Sequence, residues 1–439
     1  MLAYYFDKSL NYRKKKAIIP MTESGNTAVF RTLKIPNFRN YMFGNFFSQA
    51  GMWAQRIAVG WLTWELTESP TWLGAMAMAD FFPNVIMAPL AGALADRWDR
   101  LKAVRLYVTI SAIISSIIVW LTVTGTITVH SLFILVLLNG IIMSFNYPVR
   151  LSLIQSLVGR EALTSAVSIS AIVFNIARIG APALTGPAIA FWGVGPALMF
   201  TVVADFVFVF TLYKVQLLHD VKEVLKEKNT ISAEIMEGFR YAFRHPGIGP
   251  LLIILVMMAI FGRPFIELLP GFADKIFNQG VDGFALLTSI LGVGSFIGSI
   301  SLAKREGVKG LTRILIFNTL VLSLSVIGFA STNNFWIAMV FTLAVGYAIV
   351  AIGVIEQTLI QIAVEDSMRG RMLSFYTLIA RGCPSAGALL MGYFSSFFGL
   401  QLPIIAGAII CIGVWLWAKK RLPTLESALE SYPKTSTSN

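Results

Sequence analysis

Long apolar runs separated by short polar breaks dominate the chain. Twelve runs are apparent, at about 41–66, 72–94, 104–124, 129–149, 163–191, 194–214, 248–270, 283–303, 311–330, 334–358, 371–397 and 400–418. A helix crosses the hydrocarbon core of a bilayer with about 20 predominantly apolar residues, so each run predicts one spanning helix. The strict apolar–polar alternation of an outer-membrane barrel is missing from these runs. Pro83, Pro89, Pro182, Pro187 and Pro384 fall inside them. Membrane helices tolerate such prolines because neighbouring helices satisfy the freed backbone groups. The predicted fold class is an all-α membrane protein with twelve transmembrane helices.

The longest polar break runs from Lys214 to Pro246 and divides the spans six and six. The predicted organisation is a tail over 1–40, a six-helix bundle over 41–214, a linker over 215–247, a second bundle over 248–418 and a tail over 419–439. Within the linker, Ile235, Met236, Phe239 and Phe243 fall near one face of a helix over 231–243, with most charges elsewhere. That pattern predicts an amphipathic helix lying on a membrane surface. The two halves repeat in parallel. Arg56 precedes Arg263 by 207 residues, Arg97 precedes Arg305 by 208, Leu153-Ile154-Gln155 precedes Leu359-Ile360-Gln361 by 206, and Ala177-Arg178 precedes Ala380-Arg381 by 203. Parallel six-span pseudo-repeats place a substrate near the bilayer midplane, between the halves.

Charge supplies the orientation. With both termini on one side, the tails and loops on that side hold 30 of the 35 Lys and Arg residues, and the loops on the opposite side hold only Lys275. The positive-inside rule makes the basic side cytoplasmic. An odd number of spans would destroy this separation. Net charge is +12 over 439 residues, of which 56% are hydrophobic and 13% charged. A soluble chain that basic would suggest nucleic acid; here positive-inside topology accounts for the charge, and no nucleic-acid partner is expected. Residues 1–35 lack a signal-peptide apolar core, and either Met1 or Met21 fits as the start. Cys383 and Cys411 lie in apolar runs without metal-ligand spacing, and His130, His219 and His245 lie in or beside loops. No metal site or cofactor is expected. Neither a nucleophile–base pair nor a Walker-type loop is present, which argues against an enzyme and against direct ATP drive.

The break after the second span carries Gly92, Asp96, Arg97, Asp99, Arg100 and Lys102. This run resembles the signature between the second and third spans of major facilitator transporters. Asp99 stands where the commoner signature has glycine. The resemblance implies an inner gate. Gly92 permits close helix approach, Asp96 caps a neighbouring helix, and Arg97 and Arg100 make bonds that change with conformation. The equivalent in the second half, Lys304 to Gly307, lacks the Asp.

Two further stretches carry a closer likeness. One runs from Ser48 through Gln55, Arg56, Trp61 and Pro70 to Pro83. The other runs from Arg369, Gly370 and Arg371 through Tyr376 to Gly382, Pro384, Gly387 and Gly392. They resemble the branch that includes the enterobactin exporter and related bacterial drug-efflux proteins, over roughly 36–420. This implies a multi-pass protein of the bacterial inner membrane, functional as a monomer, that exports a small amphiphilic molecule by proton antiport. The span-5 run Arg178, Gly180, Ala181, Pro182, Gly186 and Pro187 matches in part the exporter motif that bends this span and seals it against leak.

Charges inside a membrane are costly and mark functional sites by default. Arg56, Asp80, Arg263, Glu267 and Glu356 are the cavity candidates. Arg263 and Glu267 stand four residues apart, the spacing of a helical ion pair, and Glu267 is the leading proton carrier, ahead of Asp80 and Glu356. Arg178 and Arg381 are expected to bond carbonyls freed by Pro182 and Pro384. Two other function classes remain open from sequence: uptake or facilitated flow of a polar solute, and a transporter-like sensor or assembly factor.

Overall fold

Residues 31–95, 99–159, 162–216, 231–305 and 307–430 are described by the computed structural model. The first half comprises α1 (Pro36–Thr67), α2 (Pro70–Ala95), α3 (Arg100–Val123), α4 (Val129–Val158), α5 (Leu163–Trp192) and α6 (Val194–Lys214). The linker helix α7 (Ile231–Arg244) follows. The second half comprises α8 (Ile248–Ile276), α9 (Gly280–Ala303), α10 (Leu311–Ser331), α11 (Phe335–Ala363), α12 (Asp366–Phe398) and α13 (Gln401–Lys420), and α14 (Leu422–Leu429) closes the described chain. The twelve long segments match the twelve predicted spans. Nine of the described helices are long and apolar enough to cross a membrane. α1, α2 and α12 are outside this count; α1 carries Asn37, Asn40, Asn45, Gln49 and Gln55 and α12 carries Arg369, Arg371 and Arg381 among their apolar residues.

Local chemistry sets the helix boundaries. Pro36 and Pro70 open α1 and α2, where a missing N–H removes no intrahelical bond. Asp99 accepts from the Leu101 and Lys102 N–H groups and so caps α3. The departure from the glycine signature is therefore a helix cap. Thr128 and Ser131 form a capping box at α4, and Asn334 caps α11. Several helices extend beyond their apolar runs: α4 continues past Arg150, and α12 begins before Arg369 and Arg371.

The repeat seen in sequence recurs in three dimensions. Gly193 joins α5 to α6 with φ 84°, and Gly399, 206 residues later, joins α12 to α13 with φ 77°. Both turns need the left-handed backbone that glycine adopts freely. At the same offset, a Cβ on Gly140 would fall 2.6 Å from the Ala79 carbonyl oxygen, and one on Gly346 would fall 2.2 Å from that of Leu291. Thus α4 closes on α2 as α11 closes on α9, each through a glycine.

The halves meet along two seams, α2 against α12 and α5 against α9. Gly74 packs on the Ala388 backbone, Gly392 on that of Pro70, and Gly186 on Ala285. α1 and α8 converge at their C-terminal ends, where Glu68 pairs with Lys275 at 2.5 Å and Trp64 donates to Asp274 at 3.0 Å. Large apolar residues such as Leu184, Phe191 and Trp336 stay exposed around the bundle, as expected where lipid is the solvent.

α7 presents two different faces. Phe239 and Phe243 are exposed, whereas Gly238 rests on Phe375 and Met372 of α12, and Glu237 pairs with Arg371 at 2.7 Å. α14 is a strap the sequence reading did not anticipate. Its Leu425 and Leu429 are buried, Glu426 pairs with Arg313, and Glu430 accepts from the Gly310 and Thr312 N–H groups at the start of α10.

Candidate functional site

The geometry of α8 organises the centre. Its first ten residues are α-helical, Met258–Gly262 forms a π-turn, and Pro264–Ile266 forms a 3-10 turn. Pro264 cannot donate a backbone bond, and the Arg263 N–H reaches back to Met258 at 3.1 Å. Such widened turns recur at functional sites.

The altered winding breaks the four-residue register between Arg263 and Glu267. The two do not pair with each other as the sequence spacing predicted. Glu267 instead accepts a hydrogen bond from Arg56 of α1, an ion pair that joins the two halves. The Arg56 guanidinium also lies 4.6 Å over the ring of Phe81 and 5.7 Å from that of Trp53. Asp80, half-buried on α2, is close enough to feel both charges of the pair. Side-chain exposure of 30% for Arg56 and 23% for Glu267 leaves the pair partly open to solvent. From this pair outward, α1 and α8 are tied at Trp64–Asp274 and then at Glu68–Lys275.

Arg263 turns the other way, into its own half. Its Nη2 lies 3.6 Å from where a Gly353 Cβ would stand, beside the Tyr376 hydroxyl, which donates to the Gly353 carbonyl at 2.8 Å. One turn further along α11 is Glu356, with 0% of its surface exposed. Neither carboxyl oxygen of Glu356 has a hydrogen-bond partner. Arg263 and Tyr376 are within its electrostatic reach. Buried polar atoms are nearly always hydrogen-bonded, so two orphaned oxygens on one carboxyl are unusual.

The first half has a different centre, around Arg150 on α4. Its Nε donates to Asn146 at 3.0 Å, Nη2 to Ser48 at 3.1 Å and Nη1 to Asn45 at 3.4 Å. The guanidinium lies 4.7 Å over Phe208 and feels Asp205 and Tyr41. Sequence reasoning assigned Arg150 to a loop and missed this network. A signal existed: Arg150 and Glu356 are 206 residues apart, the offset of the repeat.

The remaining candidates fall as follows. Gly92 lies within α2, while Asp96 and Arg97 lie outside the described residues. Arg100 donates to Ser156 of α4 at 2.9 Å. Arg178 bonds the Asn175 side chain at 2.9 Å and leaves its Nε without a partner, rather than bonding a carbonyl. α5 stays helical through Pro182 and Pro187, so few carbonyls are freed for it. Gly186 sits on the α5–α9 seam, and the space around Gly180 is open. Arg381 is half-buried on α12, where the helix continues through Pro384. Among the described residues no cluster of three metal-ligating side chains occurs.

Three comparisons bear on this arrangement. A family model described as "Transmembrane secretion effector" matches residues 27–438. The staphyloferrin A transporter of Staphylococcus aureus (strain NCTC 8325 / PS 47) is 23% identical over 82% of this chain and 91% of its own length. The enterobactin exporter EntS of Salmonella typhi is 24% identical over 81% of this chain and 85% of its own length. Among solved structures, a bacterial homologue of the human lysosomal transporter Spinster superposes with a TM-score of 0.69 at 15% identity, covering 90% of this chain and 99% of that one. The last likeness bears on fold alone.

Proposed function

This chain belongs to the transmembrane secretion effector family of major facilitator transporters, and we propose that it exports a small amphiphilic molecule by proton antiport with alternating access. It is a multi-pass membrane protein and not an enzyme. The substrate reading is a drug-like or siderophore-like compound, in keeping with relatives that carry staphyloferrin A and enterobactin. The protein works as a monomer in the bacterial inner membrane with both termini cytoplasmic, as the separation of Lys and Arg supports. Impermeant thiol labelling from outside intact cells then reaches a cysteine at Gln279 and not one at Thr230; the reverse pattern overturns the orientation.

One observation carries the coupling reading: Glu356, buried and without a partner for either oxygen, beside Arg263. A fixed charge enclosed there would lack solvation. Protonation removes that charge, and a shift of Arg263 toward Glu356 compensates it. A carboxyl with these two ways of being satisfied links proton binding to the position of α8. Glu267 has the lesser role. Its bond to Arg56 ties the halves on the side of Glu68 and Lys275, with Asp80 alongside. Opening that side breaks this tie. Closure on the opposite side then falls to the Gly92, Asp96, Arg97 and Arg100 gate, with the Gly186 and Pro187 region of α5 and the Arg381–Pro384 region of α12 keeping the seams tight.

The test is transport by purified protein in vesicles across a panel of amphiphilic cations, neutral compounds and carboxylates, with and without an imposed pH gradient. At least one compound accumulates against its gradient, and a protonophore abolishes that accumulation. Transport indifferent to the pH gradient for every carried compound rejects proton coupling.

A further inference from the structure

A groove of about 480 Å³ opens on the outer surface of the first half, between the start of α1 and the end of α6. Phe43 and Phe210 of its lining are exposed, whereas Asn45, Ser48 and Phe208 of the Arg150 network are buried. Arg39 and Lys214 flank it at the level of the helix ends, and Phe43 and Phe210 line it one turn deeper into the bundle. One helical turn is about 5.4 Å, so two cations stand roughly that far above two aromatic rings. The Lys214 ammonium sits 4.3 Å over the Phe210 ring.

The two cations have no anionic partner among the described residues, and Lys214 rests on the Phe210 ring. Neither Arg39 nor Lys214 forms an ion pair among the described residues, and no carboxylate lines the groove. The C-terminal carbonyls of α6 attract a cation through the helix dipole. At this helix end Arg105, rather than Lys214, donates to the Leu212 carbonyl at 2.9 Å and to that of Val215 at 3.1 Å. Below the cations the groove is apolar and open, with Phe43 58% and Phe210 61% exposed. The mouth is pinned in shape, because Asn37 donates to the Gln216 carbonyl at 2.8 Å and accepts from the Gln216 N–H at 3.3 Å.

From this arrangement we infer that the α1–α6 groove binds an anionic phospholipid. The headgroup phosphate lies between Arg39 and Lys214, Asn40 offers a further donor, and an acyl chain lies along Phe43 and Phe210. The vertical order of the groove, charge at the membrane surface and rings beneath, is the order of groups in a phospholipid. A free phosphate ion would use the cations but gain nothing from the rings. Juxtamembrane basic residues attract anionic lipid, and burial of acyl methylenes adds to the binding. The bound lipid would brace the start of α1 against the end of α6. This site is independent of substrate, direction and coupling.

The experiment uses the full-length protein, delipidated in detergent and given equimolar phosphatidylglycerol and phosphatidylcholine, with bound lipid read by native mass spectrometry. Wild type retains phosphatidylglycerol roughly thirtyfold over phosphatidylcholine, as two basic contacts imply. Arg39→Gln/Lys214→Gln removes that preference without changing phosphatidylcholine retention. Phe43→Ala/Phe210→Ala lowers retention of both lipids. Arg39→Lys/Lys214→Arg, which keeps both charges, retains the preference and controls for folding. No preference in wild type, or a preference that survives in the double Gln variant, overturns the assignment. So does displacement of the signal by excess inorganic phosphate, which would identify a site for a free anion.

Discussion

Arg150 and Glu356 occupy equivalent positions in the two halves and live in opposite circumstances. The Arg150 guanidinium is spread over Asn146, Ser48 and Asn45, with Phe208 beneath it and Asp205 and Tyr41 near. The Glu356 carboxyl is fully buried and bonded to nothing. A charge held by hydrogen bonds from Nε, Nη1 and Nη2 is fixed in one place and one state. A buried carboxyl with no bonds has a reason to change its protonation or its neighbour. The comparison teaches that burial of an ionisable group in a membrane bundle is not by itself a sign of transport chemistry. The state of its hydrogen bonds separates a structural charge from a working one.

The same substitution at both positions gives the sharpest contrast. Arg150→Met strands Asn45, Ser48, Asn146 and Asp205 without their common partner, and breaking a buried charge network costs about 3 kcal/mol. Folded yield and thermal stability in detergent fall accordingly. Glu356→Met replaces an unbonded group with an apolar side chain of similar length, which is often neutral or stabilising. Its melting temperature equals or exceeds that of wild type. Equal losses at the two sites would erase the distinction.

A smaller effect concerns the tie between the halves. The Arg56–Glu267 pair is partly exposed, so its worth is about 1 kcal/mol after solvent screening. Glu267→Gln leaves the fold intact and loosens the side bearing Glu68 and Lys275. Spin labels replacing Glu68 and Lys275 report it as a longer mean separation. An unchanged distance distribution would mean that Trp64–Asp274 and the seams hold that side closed without the pair.

The smallest effect lies at the α7–α8 junction. His245 Nδ1 accepts from the Gly247 and Ile248 N–H groups, each at 3.2 Å. Burial pushes its pKa below the ordinary 6.5, against opposing pulls from the Ala363 carbonyl and Glu365. A base lowered in the folded state is protonated first when unfolded. Its contribution to stability is therefore complete above about pH 6.5 and declines as the pH falls further. Protection of the Gly247 and Ile248 amides, measured against the intrinsic exchange rate at each pH, falls on acidification in wild type, and His245→Asn flattens that dependence. Equal loss of protection in both would place the sensitivity elsewhere.

Much of this was legible in the sequence. Runs of apolar residues predicted the all-helical membrane fold, because a spanning helix follows from solvation along one dimension. The pairing of Arg263 with Glu267 was misread, because a four-residue rule assumes regular winding and α8 contains a π-turn followed by Pro264. Arg150 was misplaced because α4 continues as helix past its apolar run. Glu356 could be named as a candidate, but not distinguished. Whether a carboxyl finds a partner depends on side chains from α8 and α12, more than 90 residues before it and 20 after it in the case of Arg263 and Tyr376.

The claim that Glu356 carries the coupling proton is tested most directly by comparing Glu356→Gln with Glu267→Gln in proteoliposomes. A compound carried by wild type is followed under an imposed pH gradient and in downhill exchange without one. The account predicts that Glu356→Gln loses gradient-driven accumulation while keeping exchange, and that Glu267→Gln still responds to the gradient. Full gradient-driven accumulation by Glu356→Gln would contradict it.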